Sequence, residues 1–562
     1  MIEGPSNNLA VLSERNAKMT KTDGHSLVAQ SLKSLGVTHV YCIAGTPIRE
    51  TFAKCAGLGM RPIGVRHQQS GVLMALAQNY VTGGLPAVAL FSAGPAVTNA
   101  STGILVAQAN CWPLVVLGGR RPLEMRGMGS FQELDAVTIF QSITKWSAVV
   151  EKTSAIPGYL ARAFQIARSG RPGPVYLDLP EDVLTATEMS SAVDAIAPAT
   201  LPQLHDSEIE QAADLLLSTQ RPALIIGKGV RWSTPYAEMR RLVEEFNIPF
   251  ITSPMGRGFL PDDHPLCANH AGGKLQRTAD VILLLGVRLD WTFRFGRQIG
   301  RNAKLIQIDI HEPEIGTNRP PAVGIVGDVK LVLQKILDCM TRKAGTAPRT
   351  SSAQWRAMLE AEGKIRELKL DSQMRSATLP MSPQRMFKEI REFLPHDAIC
   401  IVDGNVSMAA GERVLPAYLP ASRFTAGNNG CMGVGVPYAV GAKIAQPDRL
   451  VIAVCGDMGF ALSAMDMETA VRHKVSILVV VANNEGGTGA ITQSTFFPNS
   501  EERITMFQPD IHYDNIMLAF GGHGEYVDRP EQLKPALERS VASGKAACIN
   551  VKIDPFAAFP QD

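Results

Sequence analysis

The sequence lacks the features that mark several classes of protein. It has no CxxC pair, and its nine cysteines are scattered, which argues against a zinc site and against a disulfide scaffold. Its 55 basic and 53 acidic residues nearly cancel, so it lacks the basic surface that holds nucleic acid. No apolar run approaches the roughly 18 residues of a membrane span, and the N-terminus has no signal-peptide core. We therefore expect a cytoplasmic protein with reduced thiols that binds neither nucleic acid nor membrane.

What the sequence does contain is an alternation of helical and strand patterns over 562 residues, of which 45% are hydrophobic. Short β-branched runs separated by amphipathic helices predict doubly wound α/β layers with parallel sheets. The predicted strands are VTHVYCIAG, AVALF, PLVVLGG and PVYLDLP in a first block, PALIIGKG, VILLLGVRLD and LIQIDI in a second, and AICIVDGN, LVIAVCGD, SILVVVANN and ACINVKIDP in a third.

Two stretches without periodicity, near residues 190–203 and 341–352, separate these blocks. We predict three α/β domains of similar size, each built on a doubly wound parallel sheet. The predicted division is a disordered lead at 1–18, an N-terminal domain at 19–190, a central domain at 200–342 and a C-terminal domain at 378–556.

The strongest local signal is a strand ending at Gly456-Asp457, followed by a helix and a second strand ending at Asn483-Asn484. Because the carboxyl ends of neighbouring parallel strands lie side by side, Asp457 and Asn484 are predicted to meet outside the sheet. Their oxygens, with a backbone carbonyl and phosphate oxygens, suit Mg²⁺. Gly456 allows a sharp turn, after which the helix N-terminus would face a diphosphate. A strand, turn and helix with Gly-Asp is, however, also common without such a site.

The spacing of Asp457 and Asn484 resembles the diphosphate and Mg²⁺ motif of thiamine diphosphate (ThDP) enzymes, and further segments resemble that superfamily in the same order. The resemblance covers the chain from about His25 to Pro555. It implies pyrimidine-binding, central nucleotide-binding-like and diphosphate-binding domains, in a homodimer or tetramer whose cofactor lies between two chains. The supporting segments are GVRHQQSGVLMALAQNY, SAGPAVTN, FQELD with TKW, and GNNGCMGVGVPYAVGA.

Within this superfamily the sequence most closely resembles the oxalyl-CoA decarboxylase and 2-hydroxyacyl-CoA lyase branch, above all in LIQIDIHEPEIGTNRPPAVGIVGDV. The resemblance implies a lyase that cleaves or forms a C–C bond next to a carbonyl, on a 2-hydroxyacyl-CoA or oxalyl-CoA-like thioester. Two alternatives stay open. One is an acetolactate synthase-like or benzaldehyde lyase-like carboligase acting on free 2-oxo acids or aldehydes, and the other is a catalytically silent cofactor-binding paralogue.

The resemblance also implies roles for single residues. Asp457, Asn484 and the carbonyl of Gly486 would bind Mg²⁺. Gly430 and Met432 would hydrogen-bond the aminopyrimidine, with Met432 as the wedge that bends the cofactor. Read without its glycine neighbours, Met432 is simply a core residue. The implied cofactor-binding set is Gly430, Met432, Gly456, Asp457, Met458, Gly459, Asn484 and Gly486; the substrate side is Thr46, Gln132, Glu485 and Thr488; and a candidate site for ADP or CoA is Gly227, Lys228, Asp309 and Asp328.

The sequence departs from the superfamily pattern at Gln68. Thiamine chemistry begins with loss of a proton from the thiazolium C2, and a glutamate is expected here to exchange a proton with the pyrimidine ring. An amide can hydrogen-bond the ring but cannot carry that proton. Three explanations stay open: another activation route, an introduced substitution, or loss of catalysis. Met458 is larger than usual for the motif, and Glu485, Thr488 and Gln493 make a more polar substrate wall than is usual in the lyase branch.

Overall fold

The computed structural model describes residues 20–190, 201–344 and 353–557. The predicted lead at 1–18 lies outside the described residues, as does most of the two stretches that were predicted to separate the domains. Three parallel sheets form, one from each block of predicted strands, which confirms the three α/β domains. Among the described residues no helix is long and apolar enough to cross a membrane.

The N-terminal domain has a six-stranded sheet in the order β3-β2-β4-β5-β7-β6, in which every pairing is parallel. Three of its central strands, at 87–91, 114–120 and 174–180, are buried at every position, as expected for a parallel sheet covered on both faces. A separate antiparallel pair, β1 with β8, joins the two ends of the domain. The strands are β1 (Thr20–Asp23), β2 (His39–Ile43), β3 (Arg61–Gly64), β4 (Ala87–Phe91), β5 (Leu114–Arg120), β6 (Trp146–Val149), β7 (Pro174–Pro180) and β8 (Thr187–Ser190); the helices are α1 (Gly24–Ser34), α2 (Arg49–Gly57), α3 (Gln68–Thr82), α4 (Pro95–Thr98), α5 (Ser101–Asn110), α6 (Ala136–Phe140), α7 (Ile156–Arg168) and α8 (Glu181–Thr185).

The central domain has a five-stranded parallel sheet in the order β10-β9-β11-β12-β13. A 22-residue helix, α14, follows it in a region for which no helix was predicted. Trp355 of this helix is buried and donates from Nε1 to the carbonyl of Pro222 at 3.0 Å, so α14 packs on the central domain. The elements are α9 (Asp206–Ser218), β9 (Pro222–Ile226), α10 (Val230–Ser233), α11 (Tyr236–Phe246), β10 (Phe250–Thr252), α12 (Gly272–Thr278), β11 (Val281–Leu285), β12 (Lys304–Asp309), β13 (Val323–Val326), α13 (Val329–Ala344) and α14 (Ala353–Met374).

The C-terminal domain has a six-stranded parallel sheet in the order β15-β14-β16-β17-β19-β18. The single helix predicted after Asp457 is instead two short helices, which a turn at 462–465 separates. The elements are α15 (Pro383–Phe393), β14 (Ile399–Asp403), α16 (Asn405–Val414), β15 (Arg423–Thr425), α17 (Gly435–Ala445), β16 (Val451–Gly456), α18 (Asp457–Ala461), α19 (Asp466–Arg472), β17 (Leu478–Asn483), α20 (Gly489–Phe496), α21 (Asp514–Ala519), β18 (His523–Val527), α22 (Pro530–Ala542) and β19 (Ala547–Lys552).

The N-terminal and C-terminal domains of the chain share one hydrophobic core, because α3 packs directly on α17. The helices approach so closely that a Cβ on Gly441 would lie 2.1 Å from the carbonyl oxygen of Met74. Beside this contact, Tyr80 and Trp112 stack with their ring centroids 4.2 Å apart, and Phe424 meets both edge-on. The start of α3 is therefore held at a fixed place relative to the C-terminal sheet.

Candidate active site

The carboxyl ends of β14, β16 and β17 meet at one edge of the C-terminal sheet, because these strands are parallel neighbours. A cleft of about 260 Å³ opens there. It brings together most of the residues predicted for the cofactor and one predicted for the substrate side, namely Met432, Gly456, Asp457, Met458, Gly459, Asn484, Gly486 and Thr488.

Asp457 is the buried charge of this cleft, with none of its surface exposed. Its Oδ2 accepts from the amide of Gly486 at 2.7 Å, and its Oδ1 accepts from the amides of Met458 at 2.7 Å and Gly487 at 3.1 Å. Burial raises the pKa of Asp457, while the Gly486 amide works in the opposite direction. Asn484 is also buried and donates from Nδ2 to the carbonyl of Gly487, so both side chains grip the turn after β17.

The turn after β17 leaves no room for a side chain at Gly486. Gly486 has φ +130°, and a Cβ there would lie 2.7 Å from the carbonyl oxygen of Thr505. Thr505 belongs to a strap, residues 502–507, that crosses this turn; its Oγ1 donates to the carbonyl of Gly489 at 2.7 Å. Glu485, predicted on the substrate side, is not among the residues that line the cleft, and its carboxylate pairs with Arg503 of the strap at 3.1 Å.

Met432 also lines this cleft, and its side chain is 39% exposed. It follows Gly430, whose φ of +65° ends a short 3₁₀ turn.

The sequence analysis did not predict one residue beside this turn. Asp403, at the end of β14, is fully buried and accepts from the amides of Gly433 at 3.0 Å and Gly435 at 2.9 Å. The only sequence signal for Asp403 was an Asp-Gly pair after a buried strand.

The N-terminal domain contributes no residue to this cleft within the described parts of the chain. Gln68, the first residue of α3, is 9% exposed, and its Oε1 accepts from Nδ2 of Asn99 at 3.0 Å. The two predicted substrate-side residues of this domain also lie away from the cleft. Thr46 accepts from Arg49, and Gln132 has φ +59° on the loop between β5 and α6.

A second cavity, of about 180 Å³, lies where the central domain meets the N-terminal domain. It contains three of the four residues predicted for a nucleotide site, Lys228, Asp309 and Asp328. The fourth, Gly227, lies outside it in close contact with the neighbouring loop, since a Cβ on it would be 2.1 Å from the Gly286 carbonyl oxygen. The other charged residues of the lining are Arg168, Arg171 and Arg288.

Lys228 connects this cavity to the 3₁₀ turn that ends at Gly430. Its Nζ donates to the carbonyl of Ala109 at 3.0 Å and to Oδ1 of Asn428, two residues before Gly430. Burial lowers the pKa of Lys228 to about 8 and raises the pKa of Asp309 to about 6. The cavity therefore combines a partly buried amine with a buried carboxyl group, and residues of the N-terminal and central domains line it.

Comparison with known proteins places this geometry in context. Three family models match the chain: "Thiamine pyrophosphate enzyme, N-terminal TPP binding domain" over residues 22–139, the central domain of the same enzymes over 209–336, and their C-terminal TPP binding domain over 404–551. The cleft around Asp457 falls in the third of these. The matched order is the order of the three sheets.

Full-length relatives are similar over nearly the whole chain. A 2-hydroxyacyl-CoA lyase 1 from Mus musculus is 34% identical over 98% of this chain and 97% of its own. An oxalyl-CoA decarboxylase from Escherichia coli is 31% identical, covering 96% of both chains. An acetolactate synthase large subunit from Mycobacterium tuberculosis is 34% identical over 95% of this chain and 96% of its own. The similarity thus extends to enzymes with different substrates.

Proposed function

The chain belongs to the thiamine pyrophosphate enzyme family, and we propose that it uses ThDP with Mg²⁺ to cleave or form a C–C bond next to the carbonyl of a 2-hydroxyacyl-CoA or oxalyl-CoA-like thioester. The observation that carries the proposal is the convergence of Asp457, Asn484 and Gly486 on one glycine-lined cleft. The proposal thus rests on a site in addition to the family resemblance.

The donor set of the cleft fits a diphosphate with Mg²⁺. Oxygen ligands suit this ion, and Asp457 and the Gly486 carbonyl would supply two of them. Asn484 turns its amide nitrogen to the protein backbone, which leaves its oxygen as the third candidate ligand. Among the described residues no three His, Cys, Asp or Glu side chains cluster as metal ligands, so phosphate oxygens and water would complete the shell. The glycines of the cleft would let phosphate groups approach the backbone closely.

When bound, ThDP supplies a carbon nucleophile and an electron sink for the bond next to the carbonyl. The chain's own residues would bind, bend and shield it. Met432 would support the cofactor from the lining of the cleft, and the carbonyl of Gly430 would orient its pyrimidine ring. Gln68 would hydrogen-bond that ring, as a neutral amide that cannot exchange a proton with it.

Two relatives favour a thioester substrate, because they are named as a 2-hydroxyacyl-CoA lyase and an oxalyl-CoA decarboxylase. The acetolactate synthase relative supports the rival activity, a carboligase acting on free 2-oxo acids. Thr488 lines the cleft as a polar group, and we propose it as a substrate-side residue together with Thr46 and Gln132. Glu485 would act on that side only after its ion pair with Arg503 opens.

The second cavity is proposed to hold the adenosine diphosphate part of a nucleotide or of CoA. Its arginines and Lys228 would face the phosphates, and Asp309 and Asp328 would accept from ribose hydroxyls. We further propose that the enzyme is at least a homodimer, because in the described part of the chain Gln68 does not line the cleft that contains Asp457. The nine free thiols support the proposed cytosolic location.

The experiment that tests the proposed function supplies the purified chain with ThDP and Mg²⁺. It is offered a 2-hydroxyacyl-CoA, oxalyl-CoA and pyruvate in separate reactions, and formyl-CoA, aldehyde and acetolactate are quantified by mass spectrometry. We expect formyl-CoA from a thioester substrate and none from the Asp457→Ala variant. Acetolactate from pyruvate without thioester turnover would favour the carboligase, and binding of ThDP without any product would favour a silent paralogue.

A further inference from the structure

We propose that Asp403 is a positioning residue that fixes the turn carrying Met432 against the diphosphate side of the cleft. The inference rests on the proposed use of ThDP and adds a residue to that site. Asp403 does not line the cleft itself. It acts through the backbone of the segment that does.

The first observation is the pair of hydrogen bonds on one oxygen of Asp403. Its Oδ2 accepts from the amide of Gly433 at 3.0 Å and from the amide of Gly435 at 2.9 Å. Gly433 has φ +83°, so this stretch is not part of a regular helix or strand that would fix it by its own ladder. The backbone immediately after Met432 is therefore held by a side chain that arrives from strand β14.

The second observation is that the same carboxylate also lies against Gly459 of α18, which lines the cleft. A Cβ on Gly459 of α18 would lie 3.1 Å from both Cγ and Oδ2 of Asp403. A Cβ on Gly435 would lie 3.2 Å from the Cβ of Asp403 and 2.3 Å from Sγ of Cys455. Glycines at these positions make room for the carboxylate between the Met432 turn and α18. The carboxylate therefore sets the spacing between that turn and that helix.

The third observation is an imbalance in the hydrogen bonding of Asp403. The residue is fully buried, yet its Oδ1 has no hydrogen-bond partner among the described residues. A buried carboxylate oxygen without a partner is unfavourable. An apolar side chain of similar size would avoid that cost, but it would leave the amides of Gly433 and Gly435 without their acceptor. The use of an aspartate here is therefore tied to holding these two amides beside Met432.

The test compares Asp403→Ala, Asp403→Asn and a control, Asp280→Ala, in the full-length protein. Asp280 also accepts backbone amides, from Arg221, but lies in the central domain away from the cleft. Asparagine keeps an oxygen that can face both glycine amides, whereas alanine removes it. Three quantities are measured: hydrogen exchange of the peptide spanning residues 430–436 without cofactor, the dissociation constant for ThDP at fixed Mg²⁺, and the melting temperature without cofactor.

We expect Asp403→Ala to expose the 430–436 amides to exchange and to weaken ThDP binding by about tenfold or more, as loss of two buried hydrogen bonds implies. Asp403→Asn should restore protection and most of the affinity, and Asp280→Ala should leave both unchanged. Unchanged exchange and affinity in Asp403→Ala, or an asparagine variant as weak as the alanine variant, would overturn the inference.

Gly459→Ala provides a second variant in case Asp403→Ala does not fold. It presses on the carboxylate from the α18 side without removing it, and it should weaken ThDP binding in the same direction. Full affinity in that variant would count against the spacing role. A wild-type chain that binds no ThDP would overturn the proposed function instead, and the exchange measurements without cofactor would still decide whether Asp403 fixes the turn.

Discussion

Among single residues, Gln68 marks the largest departure from the pattern that the chain otherwise resembles. It is nearly buried at the start of α3, and its Oε1 is engaged by Nδ2 of Asn99 at 3.0 Å. Its amide nitrogen is therefore the group left to meet a ligand. The amide N–H can hydrogen-bond and orient a ring nitrogen, but it cannot transfer a proton to that nitrogen as a carboxyl group does.

Gln68→Glu should accelerate exchange of the C2 proton of bound ThDP for deuterium by about 10²–10⁴-fold, the usual contribution of a general acid or base. The exchange is followed by acid quench and NMR. Gln69→Glu is the matched control, since on the helix Gln69 points about 100° away from Gln68. Fast exchange already in the wild-type protein would instead indicate another activation route, and slow exchange in both proteins would indicate a silent paralogue.

Lys228 gives a prediction of pH dependence for the second cavity. Burial lowers its pKa to about 8, so the amine is cationic below that pH and neutral above it. Affinity for a nucleoside diphosphate should therefore fall as the pH rises through about 8 or slightly above, because bound phosphate favours the charged form. Calorimetry from pH 6.5 to 9.5 measures this. Lys228→Arg should remove the step, and an equally steep fall in that variant would assign it to another group.

At the level of helices and strands, the sequence predicted every central strand of the three sheets and none of their edge strands. The six edge strands, β3, β6, β10, β13, β15 and β18, are only three to five residues long. Short edges carry no long apolar run, which is the signal on which the prediction depended. The extended conformation of these edge strands is stabilised by pairing with a central strand. Such pairing depends on the tertiary fold, so it is not visible in the local sequence.

The site was predictable to a similar extent. Asp457 and Asn484 follow adjacent central strands, so parallel topology alone brings them to one edge of the sheet. Asp403 was not predicted, because its role depends on contacts with Gly433 and Gly459, which lie far along the chain from it. Likewise, the ion pair between Glu485 and the strap is not visible as a sequence pattern.

The turn between β17 and α20 contains two glycines, Gly486 and Gly487, that should respond differently to substitution by alanine. Gly486→Ala places a Cβ 2.7 Å from the Thr505 carbonyl oxygen at φ +130°, and should destabilise the protein by roughly 3 kcal/mol and weaken ThDP binding at least about tenfold. Gly487→Ala meets nothing within 4 Å, so at φ +68° only the backbone cost of roughly 1–2 kcal/mol is expected. Denaturant unfolding gives the loss of stability of each variant, and calorimetry gives the loss of ThDP affinity. Equal losses in the two variants would mean that the strap moves to make room for the Cβ of residue 486.

For the whole molecule, the arrangement that matters is that the N-terminal residues predicted for the site do not line the cleft around Asp457 in the single chain. Helices α3 and α17 pack the N-terminal and C-terminal domains together, yet among the described residues only C-terminal ones line the cleft around Asp457. Of the N-terminal residues predicted to complete it, Gln132 lies on the loop between β5 and α6, and this loop exposes large apolar side chains in the single chain. Met128 and Phe131 of that loop are 75% and 74% exposed. A second copy of the chain is the partner that would cover them.

Met128→Asp with Phe131→Asp should therefore convert a dimer or tetramer into monomers and abolish tight ThDP binding, although Asp457 is untouched. Two buried aspartates at an apolar interface would cost several kcal/mol, more than such an interface tolerates. Sedimentation velocity gives the oligomeric state, and calorimetry gives the affinity. Ile365→Asp on α14 is the control, since Ile365 is 66% exposed on another surface and should change neither. Monomers that still bind ThDP tightly would show that a single chain forms the whole cofactor site.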